Sequence, residues 1–550
     1  MIRERIKKDI RKTISNFKFQ ISNGEIEVRR TSDQNFGDFS TNIALKIAKV
    51  HPLGVPGSNK AHPGGETGSK QSPMEFAKIL ADSLQNLPYL KKLEVKEPGF
   101  INFFIKDEVW QKQAEDVLNQ GPKYGANEIG KSKKARVEFI SANPTGPLHF
   151  GNARGGPIGD SLASVLEFSG YKVLREYLHD DVGMQVQKLG ESIINLTKGC
   201  KLEDQEYKGE YIRGLAKKIG KVKNAKEAGE KAVKILLDEI LADTKSMGIK
   251  YDKVYPESEF GSTGITKKAL EALDKKKVLK KQKGAVWFAP SDQFLRDREC
   301  VVVKSDGAYT YFANDIAYHK LKFDEGYDLV IDILGANHHG HIPRLQAAIS
   351  AFGFDVSKFT VILYQWVRFK RGTQVVKMAK RAGTFVTVRE VLGEVGKDAL
   401  RFFILMHDAN SHIDFDLDLA KEHSSKNPVY YVQYAHARIA SILKKVNGKW
   451  KMENGKFNHQ LLTTNYELDL IKQITKLPEL IEEIATSFAV HRLTGYAVEL
   501  ADSFHRFYEN CPVITEGEEL KTARLALCMV TKIALANTLS LLGVSAPDKM

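Results

Sequence analysis

The sequence predicts an α/β protein. A doubly wound parallel sheet occupies the middle of the chain, a small α/β domain precedes it and an all-helical domain follows. Three observations predict this. Between residues 131 and 400, apolar runs of strand length alternate with helical patterns. Before that region, helix and strand signals flank a Pro/Gly/Ser-rich stretch, HPLGVPGSNKAHPGGETGSKQSP (51–73). Beyond about residue 396 the strand signal disappears and 3.6-residue periodicity takes over. With 550 residues, 42% of them hydrophobic and 27% charged, the chain has material for more than one core.

Residues 1–106 read as the small α/β domain. MIRERIKKDIRKTISNF is basic, lacks the apolar core of a secretory signal, and spaces its isoleucines as an amphipathic helix does. NFGDFSTNIALKIAK (35–49) passes from a polar turn into a helix, and VKEPGFINFFI (95–105) turns at glycine into a hydrophobic strand. The 51–73 stretch can bury little and is expected as a surface loop.

Residues 107–395 form the central domain, with strands at ARVEFIS (135–141), YKVLREYL (171–178), YDLVIDILG (327–335) and FTVILYQWV (359–367). A lysine-rich helical insertion spans about 190–283. Its end, KKKVLKKQK (275–283), holds six lysines in nine residues. Such a run serves either as a solvated helix end and loop or as an RNA-backbone contact. Residues 396–550 read as helices throughout, with no repeat of fixed period.

No run of about 18 apolar residues marks a membrane span. The four cysteines are far apart and form no CxxC pair, which suits reduced thiols and predicts no zinc site. Lys plus Arg exceed Asp plus Glu by 82 − 68 = 14, a balance that suits a polyanionic partner.

Chemistry concentrates in two short segments. SANPTGPLHFGN (141–152) follows a strand and precedes a helix-prone stretch, so backbone N–H groups and a helix start meet at the strand's carboxyl end. His149 and Asn152 flank Gly151, where the backbone or a flat ligand can approach closely. A tight turn alone explains such a segment equally well. VVKMAKRAGTFVT (375–387) sets Lys377 and Lys380 three apart between Gly372 and Gly383. Alone it is a solvated basic loop or a clamp on a triphosphate. The two segments together are far more specific than either.

HFGN resembles the HIGH motif and KMAKR the KMSKR loop of class I aminoacyl-tRNA synthetases. The wording around them resembles the arginyl-tRNA synthetase family: EFISANPTGPLHFGNARGGPIGD (138–160), YFANDIAYH (311–319), ILGANHHGHIPR (333–344), NPVYYVQYAHARI (427–439) and the ending LLGVSAPDKM. The likeness covers nearly the whole chain. It implies a Rossmann-like, nucleotide-binding catalytic domain, an N-terminal domain that contacts tRNA, and an anticodon-binding domain of the DALR type, whose letters stand at 398–401.

The implied activity is arginine–tRNA ligation in a cytoplasmic monomer. Arginine's carboxylate attacks the α-phosphate of ATP, which carries Mg²⁺, and the adenylate then passes arginine to the tRNA 3′ end. Such chemistry needs positioning and charge stabilisation rather than a nucleophilic Ser or Cys. The resemblance also implies that adenylate formation requires bound tRNA. A non-catalytic tRNA-binding relative would have lost the motif lysines or pocket carboxylates, which are present. A nucleotidyltransferase with a small acceptor would not need the flanking domains.

By the same likeness, ATP is contacted by Pro144, Gly146, His149, Gly151, Asn152, Lys377, Met378 and Lys380, with His149, Asn152, Lys377 and Lys380 catalytic. Arginine falls to Glu138, Ser141, Asn143, Tyr311, Asp315 and His338. Glu138 and Asp315 would share the guanidinium, while Ser141 and Asn143 would hold the head group. His338 would lie by the adenine or the amino acid, unless HHGH is simply a turn. Tyr431, Tyr434 and Met550 would meet the anticodon loop, although core packing explains either tyrosine alone. Three departures stand out: Asn152 replaces a histidine, Ala379 replaces a serine, and Pro157 fits only in a first helical turn or at a kink.

Overall fold

The computed structural model describes residues 1–17, 26–31, 33–50, 72–296, 298–375, 386–446, 457–514 and 517–550. They fall into two compact units: 1–121 with 447–479 and 506–531, and 122–446 with 480–505 and 532–550.

The larger unit is built on a five-stranded parallel sheet. Its spatial order is Phe359–Tyr364, Leu329–Gly335, Lys134–Phe139, Lys172–His179, Lys253–Pro256. The central strand, Lys134–Phe139, pairs with both neighbours in register, Ile333 opposite Phe139 and Glu138 opposite Glu176. A strand covered on both faces buries every residue, and here Ala135, Val137 and Phe139 are fully buried on one side. Arg136 and Glu138 are buried on the other, where only ion pairing makes charge tolerable. Helix Gly155–Phe168 packs over the middle strands. Pro157 sits in its first turn, where proline's missing N–H costs nothing.

The insertion folds as helices Met184–Thr197, Tyr211–Ile219 and Ala225–Ser246 around their own core of Val186, Leu189, Ile193, Ile212 and Leu236. The first and last approach so closely at Gly190 that a Cβ there would lie 1.8 Å from the Ala225 carbonyl oxygen. The chain then returns to the sheet as Lys253–Pro256, an edge strand of four residues too short for the sequence pattern to show. KKKVLKKQK is exposed, and its second half is the strand Leu279–Gln282 of a three-stranded antiparallel sheet.

Two further strands differ from expectation. FTVILYQWV does not run straight through. It breaks after Tyr364, where the Gln365 N–H turns to the Ala409 carbonyl, and Val367–Arg371 joins another sheet. There it pairs in parallel with Ile413–Asp416, a strand inside the stretch predicted to be wholly helical. IDFD alternates apolar and charged residues over only four positions, too few to outweigh its helical flanks.

In the smaller unit a four-stranded antiparallel sheet packs beside helices Ile2–Asn16 and Pro73–Leu84. Leu90–Lys96 and Phe100–Ile105 form its hairpin. Residues 51–71 of the Pro/Gly-rich stretch lie outside the described residues, while Ser72 and Glu75 close a capping box on the helix that follows. Helix Glu518–Leu541 is the one described helix long and apolar enough to cross a membrane, and 72% of its apolar window is buried in protein.

Candidate active site

The carboxyl ends of the parallel strands bring the predicted site residues to one edge, as open α/β sheets do. After Phe139 the backbone turns through two residues of positive φ, Ile140 (68°) and Ser141 (39°). Non-glycine residues rarely hold that conformation, and here the neighbouring strand's end enforces it. The Leu178 N–H donates to the Ser141 hydroxyl, Tyr177 donates to the Ala142 carbonyl, and Asn143 Nδ2 donates to Asp180 at 2.7 Å.

The chain next forms the turn Pro144–Leu148 and the short helix Phe150–Ala153. His149 caps this helix. Its Nδ1 accepts the Gly151 N–H at 2.9 Å, so the proton of the neutral ring is on Nε2. Burial lowers its pKa and favours that neutral form. A Cβ on Gly151 would stand 2.8 Å from the imidazole. Asn152 is exposed, and its backbone carbonyl accepts the Tyr364 hydroxyl. Phe150 N–H donates to Val386 and Val388 N–H to Leu148, so the chain just past the KMAKR segment is paired to this turn. Lys377, Met378 and Lys380 themselves lie outside the described residues.

Opposite, Tyr311 and Asp315 occupy the first turns of helix Tyr311–Asp324, capped by Thr310. Tyr311 is half exposed. Two carboxylates that the sequence reading missed join them. Asp180 follows the strand Lys172–His179, and Glu257 follows Lys253–Pro256 with its N–H on the His179 carbonyl. Glu257 is buried. Asn314 donates to one of its carboxyl oxygens at 2.6 Å, and the other has no partner.

None of Asp180, Glu257 and Asp315 has an ion pair among the described residues. Burial, then the neighbouring Asp180, pushes the Glu257 carboxyl up to about 8. Burial pushes Asp315 up to about 7; the charge of nearby His319 opposes this, and Glu138 and Asp180 add to it. Among the described residues no three such groups converge closely enough to hold a metal ion. The cluster lacks a cation, and an extended one with several N–H donors suits it best.

Glu138 stands elsewhere in this electrostatic scheme. Lys322, fully buried, donates to it at 2.6 Å and to Asp332 at 2.8 Å, and pairs with Glu176 at 3.0 Å. Arg136 pairs with Glu176, and His319 Nε2 meets Asp332 at 2.7 Å. Burial alone would lower the Lys322 pKa, but its three carboxylates outweigh that and raise it. Glu138 thus already has a cation, unlike Asp315. His338 lies in the turn after Leu329–Gly335, exposed at the same edge, with its ring 5.7 Å from His341.

Away from this edge, helix Pro428–Lys445 carries the predicted RNA-facing aromatics. Tyr434 is exposed, while Tyr431 is drawn inward, its ring 4.8 Å from His505. The sequence reading missed Tyr430, which stacks on Tyr434 at 6.3 Å and on His423 at 5.6 Å. Met550 is exposed and shares a cavity of about 750 Å³ with Tyr430 and His423. An i, i+4 count from Tyr434 would have found Tyr430.

Comparison with known proteins agrees with this arrangement. Residues 4–105 match the family described as arginyl tRNA synthetase N terminal domain, 113–441 the tRNA synthetases class I (R) catalytic domain, and 432–550 the DALR anticodon binding domain. An arginine–tRNA ligase of Citrifermentans bemidjiense is 40% identical over 546 residues, covering 96% of this chain and 95% of the relative. One of Bacillus subtilis is 38% identical over 568 residues, covering 100% and 98%. The solved structure of the arginyl-tRNA synthetase of Thermus thermophilus superposes with a TM-score of 0.80 at 22% identity, over 100% of both chains, a likeness of fold.

Proposed function

The chain belongs to the arginyl-tRNA synthetase family and joins arginine to tRNA at the expense of ATP, and from that premise we propose how its residues divide the work. The guanidinium of arginine binds among Asp180, Glu257 and Asp315, beside the Tyr311 hydroxyl. The observation that carries this is the absence of any ion pair to those three carboxylates among the described residues, one of which has a buried, unpartnered oxygen. A buried carboxylate without a counter-ion is costly, and a guanidinium supplies the charge and the fork of donors together.

The aliphatic stem and head group run from there towards Ser141 and Asn143, whose side chains are set by Leu178 and Asp180. That aims the arginine carboxylate at the HFGN turn. ATP binds there with its Mg²⁺, which arrives as part of the substrate. The neutral His149 donates from Nε2 to a phosphate oxygen, and Gly151 and Asn152 line the approach. Lys377 and Lys380, on the segment that rejoins the turn at Val386, neutralise the pyrophosphate.

The arginine carboxylate oxygen attacks the α-phosphorus, and the bond to the β-phosphate oxygen breaks, releasing pyrophosphate. A ribose hydroxyl at the tRNA 3′ end then attacks the adenylate carbonyl. It loses its proton, and AMP departs with the C–O bond electrons. Glu138 supports the sheet's electrostatics through Lys322 rather than binding the guanidinium directly. The Tyr430–Tyr434 stack and Met550 face the anticodon loop, where stacking on splayed bases is available. The enzyme acts as a cytoplasmic monomer.

Charging of total tRNA with labelled arginine and ATP tests the reading. Asp315→Asn should raise the arginine KM strongly while leaving the ATP KM within about twofold. An unchanged arginine KM would remove Asp315 from the pocket.

A further inference from the structure

The Lys322 network and the unpaired carboxylates meet at one side chain. His319 lies one turn after Asp315 on helix Tyr311–Asp324 and is only 4% exposed. Each of its ring nitrogens has an oxygen at 2.7 Å. Nδ1 faces the Asp315 carbonyl, and Nε2 faces Asp332 Oδ2. Phe359 packs against the ring, with 5.2 Å between centroids and 84° between planes.

Those two oxygens decide the ring's charge. A carbonyl oxygen only accepts, so Nδ1 carries a proton. Asp332 accepts from Lys322 at 2.8 Å through its other oxygen, so this carboxylate is ionised and also only accepts. Nε2 then carries a proton too. A neutral ring would set a bare lone pair against an anionic oxygen in a buried site. Burial opposes the charged ring, but Asp332 outweighs it and raises the pKa. His319 is therefore an imidazolium, bonded to the backbone of Asp315.

We propose that His319 is a positioning residue of the arginine site: it pins the helical turn that bears Asp315 and sets a fixed positive charge beside that carboxylate. This rests on the reading of Asp315 as a guanidinium ligand. Asp315 has several acidic neighbours: Glu138 on the central strand, Asp332 on Leu329–Gly335, and Asp180 and Glu257 after the two strands beyond. On its own helix, Tyr318 and Lys322 flank the His319 ring. Lys322 is taken up by Glu138, Glu176 and Asp332. The imidazolium acts on Asp315 and favours the ionised carboxylate that a guanidinium needs. Without it, Asp332 would face Asp315 with only Lys322 to offset it, and Asp315 would keep its proton to higher pH.

Two substitutions separate the charge from the hydrogen bonds. His319→Asn keeps an amide donor near the Nδ1 position, and His319→Gln keeps one near the Nε2 position; neither side chain is charged. Arginine and ATP KM are measured from pH 6 to 9 for wild type, both variants, Asp315→Asn, and Asp315→Asn combined with His319→Gln. Both His319 variants should raise the arginine KM about tenfold at pH 6 and less than about twofold at pH 9, an upward move of about one pH unit, with ATP KM within about twofold. In the Asp315→Asn background, His319→Gln should add no pH dependence. Wild type carrying isotope-labelled histidine gives a check that does not depend on a variant folding. One of its 15 histidines should have both ring nitrogens protonated at pH 8 without arginine, read by nitrogen NMR.

A rise of equal size at pH 6 and pH 9 would leave His319 a merely structural role and overturn the proposal. So would an arginine KM unchanged by both variants, a pH shift that persists in the Asp315→Asn background, or no doubly protonated ring in wild type. Failure of the arginine reading would look different. Asp315→Asn would then leave the arginine KM unchanged at every pH, while the doubly protonated ring remained.

Discussion

Two buried clusters of charge lie within the same catalytic unit and answer opposite needs. Around Lys322, three carboxylates meet two permanent cations and a histidine, and every buried charge finds a partner inside the protein. Around Asp180, Glu257 and Asp315, three carboxylates have no ion pair among the described residues, and two of them hold protons near neutral pH instead. The first is complete when the chain folds. The second is complete only when something positive enters. Sequence composition does not distinguish them, because both draw on acids at strand ends and one helix. On the proposed reading, arginine recognition resides in that incompleteness.

The sharpest way to break the comparison is to remove the cation from the complete cluster. Lys322→Met should destabilise the fold by about 3–5 kcal/mol, since it strands Glu138, Glu176 and Asp332 together in a buried place. Chemical denaturation reads this, and a loss below about 1 kcal/mol would show that the network is not held by charge. The mirror experiment is Asp315→Asn. It removes a carboxylate that has no internal partner, so stability should hold or rise. The arginine KM should climb by about two orders of magnitude, because a buried guanidinium loses a charged acceptor. Glu257→Gln keeps an acceptor for Asn314 and should raise the arginine KM about tenfold.

Asp332 of the complete cluster and the two protonated acids of the other should respond oppositely to pH. Asp332 is held well below the usual carboxylate range: burial raises it, but Lys322 and His319 outweigh burial, so its stabilisation persists at and above neutral pH. Glu257 and Asp315 are raised from 4.5 to about 8 and from 3.8 to about 7, so the folded state binds protons that the unfolded chain has released. The arginine-free enzyme should therefore lose stability as pH rises from about 4 to 8. Arginine needs the ionised carboxylates, so its KM should fall from pH 6 to 8.5, and the Tm gain at saturating arginine should grow. A Tm gain flat across that range would contradict the assignment, and Glu257→Gln should flatten it.

The contrast explains what could be read from sequence. SANPTGPLHFGN was legible because its chemistry is contiguous: strand end, turn and helix start arrive within twelve residues. Asp180 in HDD and Glu257 in PES each look like surface acids. They meet only because Lys172–His179 and Lys253–Pro256 lie side by side in the sheet, and the second of these strands is too short to see. The resemblance gives Glu138 to the guanidinium, while the structure pairs it with Lys322. Yet Asp315, His319 and Lys322 recur at helical spacing on one face, so that lysine beneath the sheet was within reach of the pattern. Lys377 and Lys380 rest on motif likeness, their positions being outside the described residues.

The smallest effect tests the turn that the two clusters serve. Asn152 stands where a histidine was expected, and its backbone carbonyl is held by the Tyr364 hydroxyl, an interaction any residue could make. What distinguishes it is a side chain that is exposed and neutral. His149 already supplies a neutral ring with its proton on Nε2, its tautomer set by the Gly151 N–H. The turn therefore offers two uncharged donors, and under the proposed reading positive charge is left to Lys377 and Lys380. Asn152→His should keep kcat within about threefold at pH 8, where an unperturbed imidazole is also uncharged. Below pH 6.5 the added imidazolium should lower the ATP KM relative to wild type by a similar factor. A hundredfold change in kcat at pH 8 would instead mean that the amide makes a contact the imidazole cannot reproduce, and the last position of the motif would join the catalytic set.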